Sequence, residues 1–162
     1  MALRPGLLAG ALIGAAGCGV GGPSVEMAWT GASTGAAELP VRATRCGAGP
    51  IALLAISGDT GIAIALYAAG EPAAGSYPVS TGAATAAPPA ASVGARWLDS
   101  TNVAAWRAER GTVTLSAAGA QLAGRFTVEA KRLDTPDSVT LTGSFRGVPV
   151  GPCRPDSAVP GV

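Results

Sequence analysis

The stretch QLAGRFTVEAKRL, Gln121–Leu133, decides how the chain is read. Leu122, Gly124, Phe126, Val128 and Ala130 fall on one side of an extended backbone. Ala123, Arg125, Thr127, Glu129 and Lys131 fall on the other. A period of two sustained this long describes a half-buried strand with one solvated face. The pattern recurs on both sides. Upstream, GTVTLS (Gly111–Ser116) turns Val113 and Leu115 one way and its hydroxyl side chains the other. Downstream, SVTLTGSFRG (Ser138–Gly147) turns Val139, Leu141, Gly143 and Phe145 inward. Ser116–Gly119 and Asp134–Asp137 read as the intervening turns. The three strands form an antiparallel C-terminal meander.

The first half is more apolar. PIALLAIS (Pro50–Ser57) is a continuous buried run, and IAIALY (Ile62–Tyr67) alternates large residues with alanine. The cluster Ser57–Gly61 joins them as a hairpin with a five-residue connection. Glu26–Ser33 and Leu39–Arg45 read as earlier strands. Gly75–Ser80 is a short strand that Pro78 places at an edge or a strand end. The low-complexity segment Thr81–Ser92, with Pro88-Pro89, reads as an exposed, partly disordered loop. Ala91–Ala108 holds one or two further strands. No helix is expected after the first residues. The predicted fold is all-β: a single antiparallel β-sandwich or partly closed barrel of about eight to ten strands.

Composition bounds the chemistry. Aromatics make up 4% of the 162 residues, so Trp29, Trp97, Trp106, Phe126 and Phe145 are the large core pieces available. The net charge of +1 falls to zero once Arg4 is set aside, and no run of like charge exists. Nucleic-acid binding, which needs a basic stripe, is not expected. Histidine is absent. That removes Ser-His-Asp and Cys-His nucleophilic catalysis and imidazole metal sites. Carboxylates remain as general acids: Asp59, Asp99, Glu109, Glu129, Asp134, Asp137 and Asp156. Asp134 and Asp137 sit in a turn, where aspartate serves the backbone; a calcium site there lacks a third acidic ligand. Ser57 and Lys131 do not make a serine-lysine dyad motif, and Gly119-x-x-x-x-Gly124 lacks the Lys-Ser/Thr of a phosphate loop. Trp97 and Trp106, beside Arg96 and Arg107, are either core plugs, the favoured reading, or the lining of a groove for sugar or peptide. No catalytic residue, metal or cofactor is assigned.

The opening residues carry a separate signal. Arg4 is followed by an apolar run and then by Ala15-Ala16-Gly17-Cys18 and a glycine-rich stretch. A stable transmembrane helix is disfavoured by Gly19, Gly21, Gly22 and Pro23. The run reads as a secretory leader. Ala15-Ala16-Gly17-Cys18 resembles the lipobox of bacterial lipoproteins, with Ala15 where leucine is commonest. The resemblance implies cleavage before Cys18 and lipidation of its sulfur; ordinary leader cleavage nearby is the alternative. Gly19, in place of a retention aspartate, implies the outer membrane, with a secreted or periplasmic protein as the alternative. Cys46 and Cys153 then remain. In an exported protein they suggest one disulfide, with two free thiols as the other possibility.

The organisation expected is a signal peptide at 1–17, a flexible tether at 18–24, a β-domain at 25–154 and a flexible tail at 155–162. Gly75-Ser76-Tyr77-Pro78-Val79, Gly111–Ser116, Leu122-x-Gly124-x-Phe126 and Val139–Phe145 with a cysteine soon after are similar to uncharacterised bacterial envelope lipoproteins. That resemblance implies location and a β-rich fold, and carries over no catalytic residue. The expected function is a lipid-anchored envelope protein with a non-catalytic binding or structural domain. Its partners would be the membrane and an envelope protein, glycan or small ligand. The alternatives are an envelope glycan hydrolase using paired carboxylates and a carrier of small apolar ligands.

Overall fold

A computed structural model describes residues 22–153. The segments expected to be a leader at 1–17 and a tail at 155–162, most of the expected tether, Cys18 and Asp156 lie outside the described residues. Nine strands follow in chain order: β1 (Ser24–Gly31), β2 (Gly35–Arg45), β3 (Ile51–Ser57), β4 (Thr60–Tyr67), β5 (Gly75–Ser80), β6 (Ala90–Asp99), β7 (Asn102–Ala117), β8 (Gln121–Arg132) and β9 (Ser138–Pro152). They form one sheet that closes on itself in the order β1-β2-β3-β4-β6-β5-β7-β8-β9. The all-β class and the β7–β8–β9 meander are as read from the sequence.

The sheet is mixed rather than purely antiparallel. β2 runs parallel to the end of β9, and β5 touches β6 in parallel at Val79 and Ala91. The ring is also not a regular barrel, because β7 changes neighbour along its length. Its first part pairs with β6 and its second part with β5. A register shift between Ala108 and Arg110 marks the change. Gly111 follows at φ +133°, where a Cβ would lie 2.3 Å from the Thr127 carbonyl oxygen. Short β5 fills the gap where β6 and β7 splay. Its second edge makes that single bridge, so Pro78, which cannot donate to a ladder, is tolerated there.

Two connections differ from the sequence reading. Ser57 pairs directly with Thr60, so the β3–β4 turn has two residues and not five. Gly58 takes φ +57°, the glycine-first form that suits a two-residue hairpin. β6 begins at Ala90, inside the segment expected to be a loop, and Ala83 within that segment is buried. The turn at 81–86 closes on itself through Thr85 N–H to Gly82 O at 3.0 Å and Ala86 N–H to Gly82 O at 3.1 Å.

The core is the inside of the ring. All five large aromatics named from the sequence are buried there, and Tyr77 joins them. Space for the rings comes from glycines directly across the ladder. Gly35 faces Trp29, Gly124 faces Phe145, and Gly143 faces Phe126. A Cβ on Gly143 would lie 2.4 Å from the Phe126 ring, and one on Gly35 would lie 2.4 Å from Trp29. These inward glycines are cradles for aromatic rings, which is why glycine recurs on the buried face of an otherwise β-branched pattern.

Closure is clamped at one point. Cys46 and Cys153 are bonded, with Cα atoms 4.8 Å apart and a separation of 107 in sequence. The Cys153 N–H also donates to the Arg45 carbonyl at 3.1 Å. Beside the bridge, Arg45 donates to Glu71 at 2.7 Å and to the Gly70 carbonyl at 2.9 Å, tying the β4–β5 connection to the seam. The Tyr77 hydroxyl donates to Ala73 O at 3.0 Å and accepts from Ala73 N–H at 3.1 Å, which holds the same connection from its other end. A cross-link enclosing a loop of this length stabilises by about 4–5 kcal/mol in the chain-entropy model. Replacing both cysteines with alanine is therefore expected to lower the unfolding free energy by about that amount. Denaturant titration of the bridged and unbridged proteins measures it; equal midpoints would refute the clamp.

Candidate functional site

The four residues weighed as a groove lie on opposite faces of the sheet. Trp97 and Trp106 point into the ring, each 2% exposed, while Arg96 and Arg107 are on the outside. Successive residues of a strand point oppositely, so neither arginine can share a groove with its neighbouring tryptophan. The core reading of the tryptophans is the one the structure bears out. They stack with the third: Trp29 and Trp97 centroids are 4.4 Å apart at 20°, and Trp97 and Trp106 are 4.9 Å apart at 14°.

The stack fills the ring near the β1–β2 and β6–β7 turns. Trp97 Nε1–H donates to Ser33 Oγ at 3.3 Å, while Trp106 Nε1 is buried with no partner among the described residues. Arg132 stands opposite Trp106 and ends the inward series of β8. It donates to Asp99 at 2.8 Å and to Asp134 at 2.7 Å, so the one charge at the end of the inward face is neutralised from two sides. The hydrogen bond from Arg132 holds the Asp134 carboxyl below the ordinary carboxylate range, and the same bond raises the Arg132 guanidinium further. Asp137 accepts from the Thr135 hydroxyl at 2.8 Å. Both aspartates thus serve the turn, as expected for their positions.

The remaining carboxylates are spread around the outside. Glu109 pairs with Lys131 at 3.0 Å, and Glu129 pairs with Arg110, whose guanidinium that hydrogen bond raises. Lys131, on β8, is thereby engaged far from Ser57 at the end of β3. No group of three or more His, Cys, Asp or Glu that could hold a metal is found among the described residues. One carboxylate pair was not found from the sequence. Glu26 and Glu38 are direct cross-strand partners on the outer face of β1 and β2, over an open depression of about 550 Å³ floored by Ala28, Ala36 and Gly143. Glu38 accepts from the Ser24 hydroxyl at 3.0 Å, and Arg146 lies 3.5 Å from Glu26. Their pairing depends on register between strands, which spacing along the chain does not reveal.

Two further spaces bear on ligand binding. Inside the ring, the void between Val25, Leu53, Ile62 and Phe145 is about 10 Å³, room for at most one water. The interior between these residues is closely packed. Outside, a shallow apolar groove of about 530 Å³ crosses β2, β3, β4 and β6 and ends at the disulfide. Its floor is made of Ala52, Ala63, Ala65 and Gly94. Comparisons with protein-family models, with curated proteins and with solved structures return no match to this chain.

Two tests follow from this geometry. Parallel indoles within 5 Å couple as excitons, so the protein is expected to show a paired positive and negative indole band in circular dichroism. Trp97→Phe, which removes the middle ring, should abolish the couplet, and Trp97→Ala should also cost about 3–5 kcal/mol of stability. A couplet that survives Trp97→Phe would refute the stack. The second test concerns acid. Because Asp134 is more acidic folded than unfolded, its contribution is complete above the ordinary carboxylate value and disappears as pH falls through its folded pKa. Asp134→Asn should flatten that part of the acid limb of the unfolding curve and leave the neutral-to-alkaline limb unchanged; an unaltered acid limb would show that the pair is absent in solution.

Proposed function

We propose that this chain is a lipid-anchored protein of the bacterial cell envelope, acylated at Cys18, whose β-domain binds or builds and does not catalyse. The observation that carries the reading is the Cys46–Cys153 bridge. Disulfides persist in oxidising compartments, and an exported chain reaches one. Of the three cysteines, Cys18 alone stands outside the bridge, in the segment that resembles a lipobox. β1 begins at Ser24, so the anchor would lie within roughly 20 Å of the first strand along an extended tether. The non-catalytic part rests on carboxylates that lie on solvated faces or serve ion pairs.

One arrangement speaks for the glycan-hydrolase alternative. Glu26 and Glu38 face each other across the β1–β2 ladder, and retaining glycosidases place their carboxyl groups about 5 Å apart. Against it, the depression beneath them is open to solvent on a flat sheet face and holds no sugar-stacking aromatic; the tryptophans are inside.

The intact mass of the native protein extracted from membranes, with and without reduction, tests the reading. The expected species starts at Cys18, carries acyl chains, and gains the mass of two hydrogens on reduction as the bridge opens. An unacylated species starting elsewhere would overturn the anchor. A species that is unchanged by reduction would overturn the oxidising location.

A further inference from the structure

We propose that the outer face formed by the second half of β2, by β3, β4 and β6, and by the first half of β7 is a docking surface for an anionic lipid bilayer. The proposal holds whether or not Cys18 is acylated.

The face is organised by register. Arg42 lies opposite Leu54, Leu54 opposite Ala63, Ala63 opposite Gly94, and Gly94 opposite Arg107. Four inter-strand steps of about 4.8 Å put the two arginines about 19 Å apart along the curved outside of the ring, with Leu54, alanine and glycine between them. Arg96 stands two residues along β6 from Gly94, on the same face. Among the described residues, none of Arg42, Arg96 and Arg107 has a carboxylate partner. Of the other described cations, Arg45, Arg110, Lys131, Arg132 and Arg146 do, and Arg125 on β8 does not. The outward positions of these strand segments hold one acid, Glu109 on β7, which is paired with Lys131. Two further carboxylates lie at the rim: Asp59 in the β3–β4 turn, and Asp99, already bound to Arg132.

The exposed large apolar side chains gather at the same place. Ile56, Leu98 and Val103 are 45%, 54% and 47% exposed and point outward from β3, β6 and β7. Leu98 and Val103 are cross-strand partners. Leu133, 60% exposed, follows β8 with its N–H bonded to the Ala105 carbonyl, which sets it beside them. Those four are the exposed large hydrophobics of the described residues. Clustered apolar side chains on a solvated surface mark an interaction site.

The chemistry favours lipid over protein. Protein interfaces concentrate their energy in aromatic anchors that fill pockets. This face offers aliphatic side chains, guanidinium groups and a floor of alanine and glycine, with one half-buried aromatic, Tyr67, at the end of β4, and the tryptophans are turned away from it. Phosphates of a bilayer surface suit unpaired arginines, and the shallow acyl boundary suits short aliphatic side chains.

The test uses the full chain carrying Cys18→Ser, so that no thioether lipid forms and the outcome does not depend on the anchor. Flotation is measured with phosphatidylcholine vesicles, with and without phosphatidylglycerol. The parent is expected to float with the anionic vesicles and to be released by high salt. Arg42→Glu, Arg96→Glu and Arg107→Glu together should weaken flotation by on the order of 100-fold, and Leu98→Ser with Val103→Ser should weaken it as well. Arg125→Glu serves as control: it reverses an exposed charge on β8, outside this face, and should leave flotation unchanged. All variants share residues 1–21, so their contribution cancels, and the tryptophan couplet reports folding. No binding by the parent, equal loss in Arg125→Glu, or full binding by the triple variant would overturn the proposal. Failure here leaves the acylation of Cys18 to stand or fall on its own mass measurement.

Discussion

Everything in this molecule depends on β9 closing the ring. The strand pairs with β8 along one edge and with β1 along the other, and after Gly147 it continues beside β2 in parallel. One strand therefore holds three others, and the first and last parts of the chain complete each other's ladders. A closed sheet has no unpaired edge to protect. It also has a cost: contacts between distant parts of the chain must be made before any of the enclosed surface is buried. The Cys46–Cys153 bridge sits where that cost is concentrated, at the end of the parallel seam. Its value comes from the length of chain it encloses and not from any local packing.

Closure also sets the inner volume, and the composition follows from it. A ring of this size cannot hold large residues at every inward position. Three stacked indoles and two phenylalanines take much of the space. The positions facing Trp29, Phe126 and Phe145 are glycine, and Ala43, Ala55, Ala91, Ala95, Ala104, Ala108 and Ala130 are all buried. Alanine and glycine, which look like compositional background in the sequence, are in these places the complement of an aromatic ring across a ladder. That is close packing achieved by alternating large with small across strands.

The legible parts of the sequence were those governed by neighbours in the chain. Alternation in Gln121–Leu133 and Ser138–Gly147 needed no knowledge of partners, so the meander could be read directly. The illegible parts were those set by pairing across long separations. Nothing local says that β5 slips between β6 and β7, or that Glu26 faces Glu38. The start of β7 was obscured because alanine lies on both of its faces, Ala104 and Ala108 inward and Ala105 outward, and because Glu109 occupies the register shift. The less favoured groove of Trp97, Trp106, Arg96 and Arg107 does not form, because alternation puts neighbours on opposite faces.

The outer surface divides by charge in a way the net balance of the chain conceals. Around β1, β7, β8 and β9, acids and bases meet in pairs: Glu26 with Arg146, Glu109 with Lys131, Glu129 with Arg110. Exposed pairs of this kind contribute little to stability, but they leave a neutral, hydrated surface. Along the cross-strand row Arg42, Leu54, Ala63, Gly94 and Arg107 no carboxylate stands, and the acids of β2 and β6, Glu38 and Asp99, lie away from it. Arg125 on β8 is also unpaired, but Arg42, Arg96 and Arg107 stand among alanine, glycine and exposed aliphatic residues. Solubility alone would be better served by spreading those arginines among polar neighbours. Their segregation onto the least polar face makes that face complementary to a surface both anionic and apolar, as a bilayer boundary is.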